Sequence, residues 1–272
     1  MKQLKQPQLK EVLDTLEEVF RELGIDFYML GATAKEYWYR QGNKLMRQTR
    51  DIDFAVLVSG REMYKAVRER LKDHQFAVIR ENDFAMHSPN GLQVDLLPFG
   101  EISINDDLSV ASEALTNMSV NGFMEVYEAG TVTAEMETGH SFKAATLPAI
   151  LLLKLIAYDD RPEQRQKDAR DAASIIQHYF DLQPDHIYEH NDLFDENAQY
   201  SELPEIAAIV IGREIKKMCQ KNPALKTRLA SILAGHITKG QRSSFVKQMV
   251  AETRKPVDEM LRQLTALQTG LL

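Results

Sequence analysis

The chain is almost without cysteine. Cys219 stands alone among 272 residues, so no disulfide can form within it, which fits a reducing compartment. A long apolar run is also missing: the most apolar stretch, residues 147–157, is too short to span a bilayer and is interrupted by Lys154. Residues Met1 to Pro7 lack the apolar core that a secretory signal needs. Neither a repeat nor a low-complexity tract appears. These absences point to a soluble, cytoplasmic protein with no membrane association. A length of 272 residues leaves room for one large domain or two smaller ones, each with a core of its own.

Positive charge is scarce overall and gathered in one place. The net charge is −7, yet residues 212–255 hold eleven Lys or Arg against Glu214 and Glu252, a local +9. The converse holds in residues 181–206, which have eight acids and no Lys or Arg and read as a solvated helix–helix connection. A basic segment in an acidic chain is either a surface for an anionic partner such as RNA or a set of helices with solvated basic faces.

What the chain does have is a pattern of carboxylates. The run Arg47-Gln-Thr-Arg-Asp51-Ile-Asp53 leads into Phe-Ala-Val-Leu-Val, which reads as a buried strand. Alternate residues of a strand face the same side, so Asp51 and Asp53 share one face and Ile52 turns into the core. Two like charges this close repel, and a divalent cation between them removes the repulsion. Asp95, in the apolar run Gln93-Val-Asp-Leu-Leu97, supplies a third carboxylate from another strand. Three carboxylates make an oxygen-only set suited to Mg²⁺, with Mn²⁺ as the alternative. Upstream, strand 26–30 runs into Gly31-Ala32-Thr33-Ala34 and a helix. A small-residue turn at a helix N-terminus offers backbone N–H groups to an anion. Thr33 reads either as a phosphate contact or as an N-cap, Trp38 as core, and Arg47 and Arg50 as partners of the carboxylates or of phosphate.

Around these motifs the periodicity predicts a helix over 9–23 stopped by Gly24, then strand 26–30, helix 33–41, strand 51–58 and helix 61–73. Strands follow at 76–80, 84–87 and 92–97, and short strands at 124–127, 131–136 and 142–145. From residue 147 onward the pattern is helical. The expected organisation is an α/β domain over 1–146, a mixed sheet flanked by helices, and a C-terminal α-helical domain over 147–272. In the helical part Lys154, Ala157, Tyr158 and Arg161 fall on one face, followed by Lys167, Asp168 and Asp171 at the start of the next helix. Both Asp residues there also suit the helix dipole, and Lys154 also suits a lysine that snorkels from an apolar surround. His186 and His190, at i and i+4, have the spacing of a zinc pair, but the surrounding acids favour a solvated helix.

The ordered set resembles the DNA polymerase β-type nucleotidyltransferase superfamily: Gly-Ala-Thr-Ala after a strand, Arg-x-Thr-x-Asp-Ile-Asp, a later strand Asp, then Lys154-x-x-Ala, Arg161 and Lys167-Asp-x-x-Asp. Within that superfamily it is most similar to the AbiEii-like group, the type IV abortive-infection toxins, and the matching motifs run from Gly31 to Asp171. The resemblance implies that Asp51, Asp53 and Asp95 hold two catalytic metals and that Lys154 reaches the triphosphate. It also implies that Gly31, Ala32, Thr33, Arg47, Thr49, Lys167, Asp168 and Asp171 belong to the nucleotide site. The usual Gly-Gly or Gly-Ser is Gly31-Ala32 here, which adds a Cβ at the turn. The implied activity is transfer of an NMP from an NTP to an acceptor hydroxyl with release of pyrophosphate. The expected partners are the NTP, a tRNA or other RNA acceptor on the basic segment, and an antitoxin protein. The alternatives are a small-molecule acceptor and a catalytically silent NTP-binding regulator.

Overall fold

A computed structural model describes residues 6–44, 51–80, 82–101, 121–194 and 202–272. The chain divides into two compact units, residues 1–127 with 131–146, and residues 128–130 with 147–272.

The first unit carries the sheet. In chain order its elements are α1 (Gln6–Glu22), β1 (Phe27–Leu30), α2 (Gly31–Gln41), β2 (Asp51–Val58), α3 (Arg61–Asp73), β3 (Ala77–Val78), β4 (Ala85–His87), β5 (Gln93–Gly100), α4 (Phe123–Ala129), β6 (Thr131–Glu135) and β7 (Ser141–Ala145). The strands form one mixed sheet in the order β3-β4-β5-β2-β1-β7-β6. β2 lies near the middle, antiparallel to β1 and parallel to β5. Its side chains alternate as a two-faced strand requires: Ile52, Phe54, Val56 and Val58 are buried, while Asp51 and Asp53 are half-buried on the other face. Phe54 meets Phe20 of α1 edge-on at 6.4 Å and Phe142 of β7 at 6.1 Å, so one face of the sheet closes on an aromatic core. The Tyr64 hydroxyl of α3 donates to the Leu96 carbonyl at 2.8 Å, a buried link between that helix and β5.

Two local expectations fail here for definable reasons. Residues 124–127 were expected as a strand and are helical, within α4. Phe123 and Val126 are buried at i and i+3, and over four residues this helical spacing cannot be told from alternation. Strand 76–80 shrinks to Ala77–Val78, both exposed, because β3 is the sheet edge and has a neighbour on one side only.

The second unit is helical: α5 (Leu147–Asp160), α6 (Gln166–Leu182), α7 (Pro184–Tyr188), α8 (Leu203–Met218), α9 (Pro223–Lys239), α10 (Ser244–Thr253) and α11 (Val257–Leu271). α5 is buried along most of its length, as its apolar composition demands. α8 and α11 approach backbone to backbone at Gly212 and Gly270, where a Cβ on Gly270 would stand 2.9 Å from the Ile209 carbonyl carbon. The expected solvated connection over 181–206 is corrected in part. It contains α7, whose Ile187 is fully buried, and Leu193 is buried after it, because the short helix docks an apolar side chain that the surrounding acids mask in the sequence. Among the described residues no helix is long and apolar enough to cross a membrane.

Candidate functional site

β2 and β5 bring three carboxylates together. The parallel register sets Asp53 directly opposite Asp95, and Asp51 opposite Gln93. Asp51, Asp53 and Asp95 each place a carboxylate oxygen within 4.8 Å of the others, and all three residues are half-buried. Gln93, two residues before Asp95 and on the same strand face, donates from Nε2 to Asp95 Oδ1 at 2.8 Å and so fixes that carboxylate. Gln93 was not singled out in the sequence, although its alternate position beside Asp95 was the available signal. Three carboxylates at this spacing repel one another, and an all-oxygen set of this kind suits a hard divalent cation.

The turn between β1 and α2 presses against this cluster. Leu30 is the register partner of Asp53, and Gly31 follows it with φ +63°, in the left-handed region. A Cβ on Gly31 would overlap the Asp53 carboxylate, with Cγ only 2.7 Å away, so any side chain here must push that carboxylate aside. Ala32 and Thr33 are half-buried beside it. Thr33 does not cap α2: its Oγ1 donates to the Asp51 carbonyl at 3.2 Å, and Leu30 holds the cap position without a side-chain hydrogen bond. Trp38 anchors the helix, donating from Nε1 to the Ala145 carbonyl of β7 at 2.9 Å. Lys35 is buried with its ammonium 5.0 Å from the centre of the Tyr39 ring. Arg47, Thr49 and Arg50 lie outside the described residues.

In the helical unit Lys154 sits between two carboxylates, 2.7 Å from Asp168 Oδ1 and 2.7 Å from Asp171 Oδ2. Burial works to lower its pKa, but the charges and hydrogen bonds of Asp168 and Asp171 outweigh it, and the ammonium is held above its ordinary value. Arg165 Nη1 stands 3.8 Å from Asp168 Oδ2. Lys167, next to this cluster in sequence, is exposed. Tyr158, expected on the same face as Lys154, is buried and shares a 2.6 Å hydrogen bond with the Ser244 hydroxyl of α10.

A family model described as the nucleotidyl transferase AbiEii toxin of type IV toxin–antitoxin systems matches residues 14–263. The chain belongs to the AbiEii family. Membership makes it a nucleotidyltransferase of the toxin–antitoxin class, as the resemblance implied. No curated protein matches the chain. Among solved structures, that of the antibiotic-resistance factor ANT(2'')-Ia, determined in solution, is similar at 12% identity. The match covers 70% of this chain and 97% of that one, with a TM-score of 0.39.

The basic segment of this AbiEii-family chain is largely engaged. Arg213 pairs with Asp192 at 2.5 Å, Lys217 with Glu214 at 2.6 Å, Lys221 with Glu128 at 2.7 Å and Arg228 with Asp160 at 2.5 Å. Lys255 lies 3.3 Å from Glu259, and Lys216 and Lys226 both donate to the Leu272 carbonyl. The local +9 is therefore offset by acids that lie mostly outside the segment. Arg242 and Lys247 are exposed near the start of α10. His186 and His190 also differ from the solvated helix expected of them: both are half-buried, and Glu214 of α8 joins them.

Proposed function

We propose that the chain transfers an NMP from an NTP to an acceptor hydroxyl, with Mg²⁺ as cofactor held by Asp51, Asp53 and Asp95. The observation that supports this is the convergence of those three carboxylates within 4.8 Å on paired strands. The fit to Mg²⁺ rests on the donor set: it is all oxygen, and half-exposure leaves room for waters and phosphate oxygens as further ligands. Mn²⁺ suits the same set. When bound, such an ion supplies charge stabilisation at the phosphoryl oxygens.

The chain's own residues do the remaining work. Gly31 lets a phosphate approach the backbone, and the first amides of α2, uncapped by any side chain at Leu30, are donors to it. Asp95, oriented by Gln93, acts as general base. As the acceptor oxygen attacks the α-phosphorus in line, its proton passes to Asp95. The bond from the α-phosphorus to the bridging oxygen breaks, and pyrophosphate leaves. The acceptor in this reading is an RNA hydroxyl, engaged through exposed basic residues such as Arg242 and Lys247, and an antitoxin protein is the second partner.

The test is incubation of the protein with each α-labelled NTP, Mg²⁺ and total cell RNA, with chelator and an Asp51→Asn/Asp53→Asn variant as controls. Label on RNA that both controls remove is the expected result. Label on protein or on a small molecule overturns the RNA acceptor, and transfer that survives both controls overturns the metal mechanism.

A further inference from the structure

The helical unit contains a second cluster of metal-ligating side chains, unrelated to the carboxylates of the sheet. His186 lies in α7, His190 follows that helix, and Glu214 is in α8. Each offers a ligand atom within 4.8 Å of the other two. We propose that His186, His190 and Glu214 form a binding site for a transition-metal dication of the zinc class, which clamps α7 to α8.

Two observations carry this. First, His186 Nε2 is buried and makes no hydrogen bond, although Glu214 Oε1 is only 3.3 Å away. The two atoms are near each other without the alignment a hydrogen bond needs. Their separation is what a shared ion requires, because donors about 2.0–2.1 Å from a tetrahedral zinc stand roughly 3.3–3.4 Å apart. Second, the donor set is two imidazoles and one carboxylate, which selects zinc and its neighbours over Mg²⁺. The other His186 nitrogen, Nδ1, is 4.0 Å from Glu189 Oε2, placing a carboxylate where it can orient the ring. Of the two cations beside the cluster, Arg213 is held by both oxygens of Asp192 at 2.8 and 2.5 Å, while the exposed Lys217, its Nζ 2.6 Å from Glu214 Oε1, must release that oxygen to the ion.

Arg213 also gives the proposal a distinctive consequence. Its Nη1 stands 2.9 Å from His190 Nδ1, so guanidinium and metal compete for the lone pair of one imidazole. Removing the guanidinium should strengthen metal binding, which a purely structural cluster would not predict.

The experiment uses the full chain, stripped with chelator, in an Asp51→Asn/Asp53→Asn background that disables the sheet carboxylates. Zinc is added, unbound ion is removed by gel filtration, and the metal is measured by elemental analysis. Co²⁺ in place of zinc reports coordination through its visible absorption. The proposal expects one equivalent of zinc and a tetrahedral Co²⁺ spectrum. Both should be lost in His186→Gln and in Glu214→Gln, and affinity should rise several-fold in Arg213→Gln. Far-ultraviolet circular dichroism checks folding, and His190→Gln replaces any variant that does not fold. No retained zinc in this background, or zinc retained at full stoichiometry by any folded ligand variant, overturns the proposal.

Discussion

Gly31 and Gly24 provide a matched pair for testing how the β1–α2 turn serves the carboxylates. Both have φ +63°, so alanine at either suffers the same left-handed backbone strain, about 1 kcal/mol. At Gly24 a new Cβ meets nothing within 4 Å. At Gly31 it meets the Asp53 carboxylate, with Cγ 2.7 Å away. Ordinary carbon contacts begin near 3.5 Å, so the carboxylate must swing aside by about 1 Å. A reacting or ligating group displaced that far lowers turnover by about 10²-fold, equivalent to about 2.7 kcal/mol in the barrier. Urea denaturation and nucleotidyl transfer should therefore separate the two variants. Both lose about 1 kcal/mol of stability, and only Gly31→Ala loses its rate. If Gly31→Ala transfers as fast as Gly24→Ala, the turn does not position Asp53 and the reasoning fails.

Further outcomes follow from the same geometry. Asp51→Asn/Asp53→Asn should abolish transfer, while urea melting in chelator shows stability unchanged or raised, since like-charge repulsion is relieved. Lys154→Met strands two carboxylates and should lower stability by about 3 kcal/mol, with recovery when Asp168→Asn and Asp171→Asn are added. Because the folded pKa of Lys154 is raised, its contribution is complete below the unfolded value of 10.5 and is lost as pH climbs through the folded one, which alkaline urea titration reads. His236 behaves in the opposite sense: burial first, then Lys239, depresses its folded pKa, so stability falls as pH drops below 6.5, and His236→Gln should flatten that slope. Arg242→Glu/Lys247→Glu should weaken RNA labelling and its salt dependence without altering NTP affinity; unchanged labelling would remove the RNA surface from consideration.

The parts of the fold that were legible in the sequence are those written in local periodicity. β2 reads directly because Ile52, Phe54, Val56 and Val58 alternate with residues of the other face, and α1 because its apolar residues recur at helical spacing. Asp51, Asp53 and Asp95 were legible for the same reason, since a carboxylate inside an apolar strand is a local anomaly. α4 was not, because four residues do not distinguish the two periods. Gln93 escaped notice because an amide in a strand is unremarkable until the register sets it beside Asp95.

Charge is where reading along the chain fails most, because ion pairs form through space. Residues 212–255 look strongly basic when counted as a segment. The acids that answer them, Glu128, Asp159, Asp160 and Asp192, lie in other elements. Lys154, Asp168 and Asp171 stood in one motif block, yet nothing in their spacing said that the two acids, on the next helix, would hold the ammonium between them. The histidine pair repeats the lesson from the other direction. Its local surroundings are acidic, which argued for a solvated helix, but the third side chain, Glu214, arrives from α8. A titratable residue whose meaning depends on its partners is thus interpretable only after the packing of α5, α6, α7 and α8 is known. A carboxylate in an apolar strand is interpretable at once, because its environment is already specified by its neighbours in sequence.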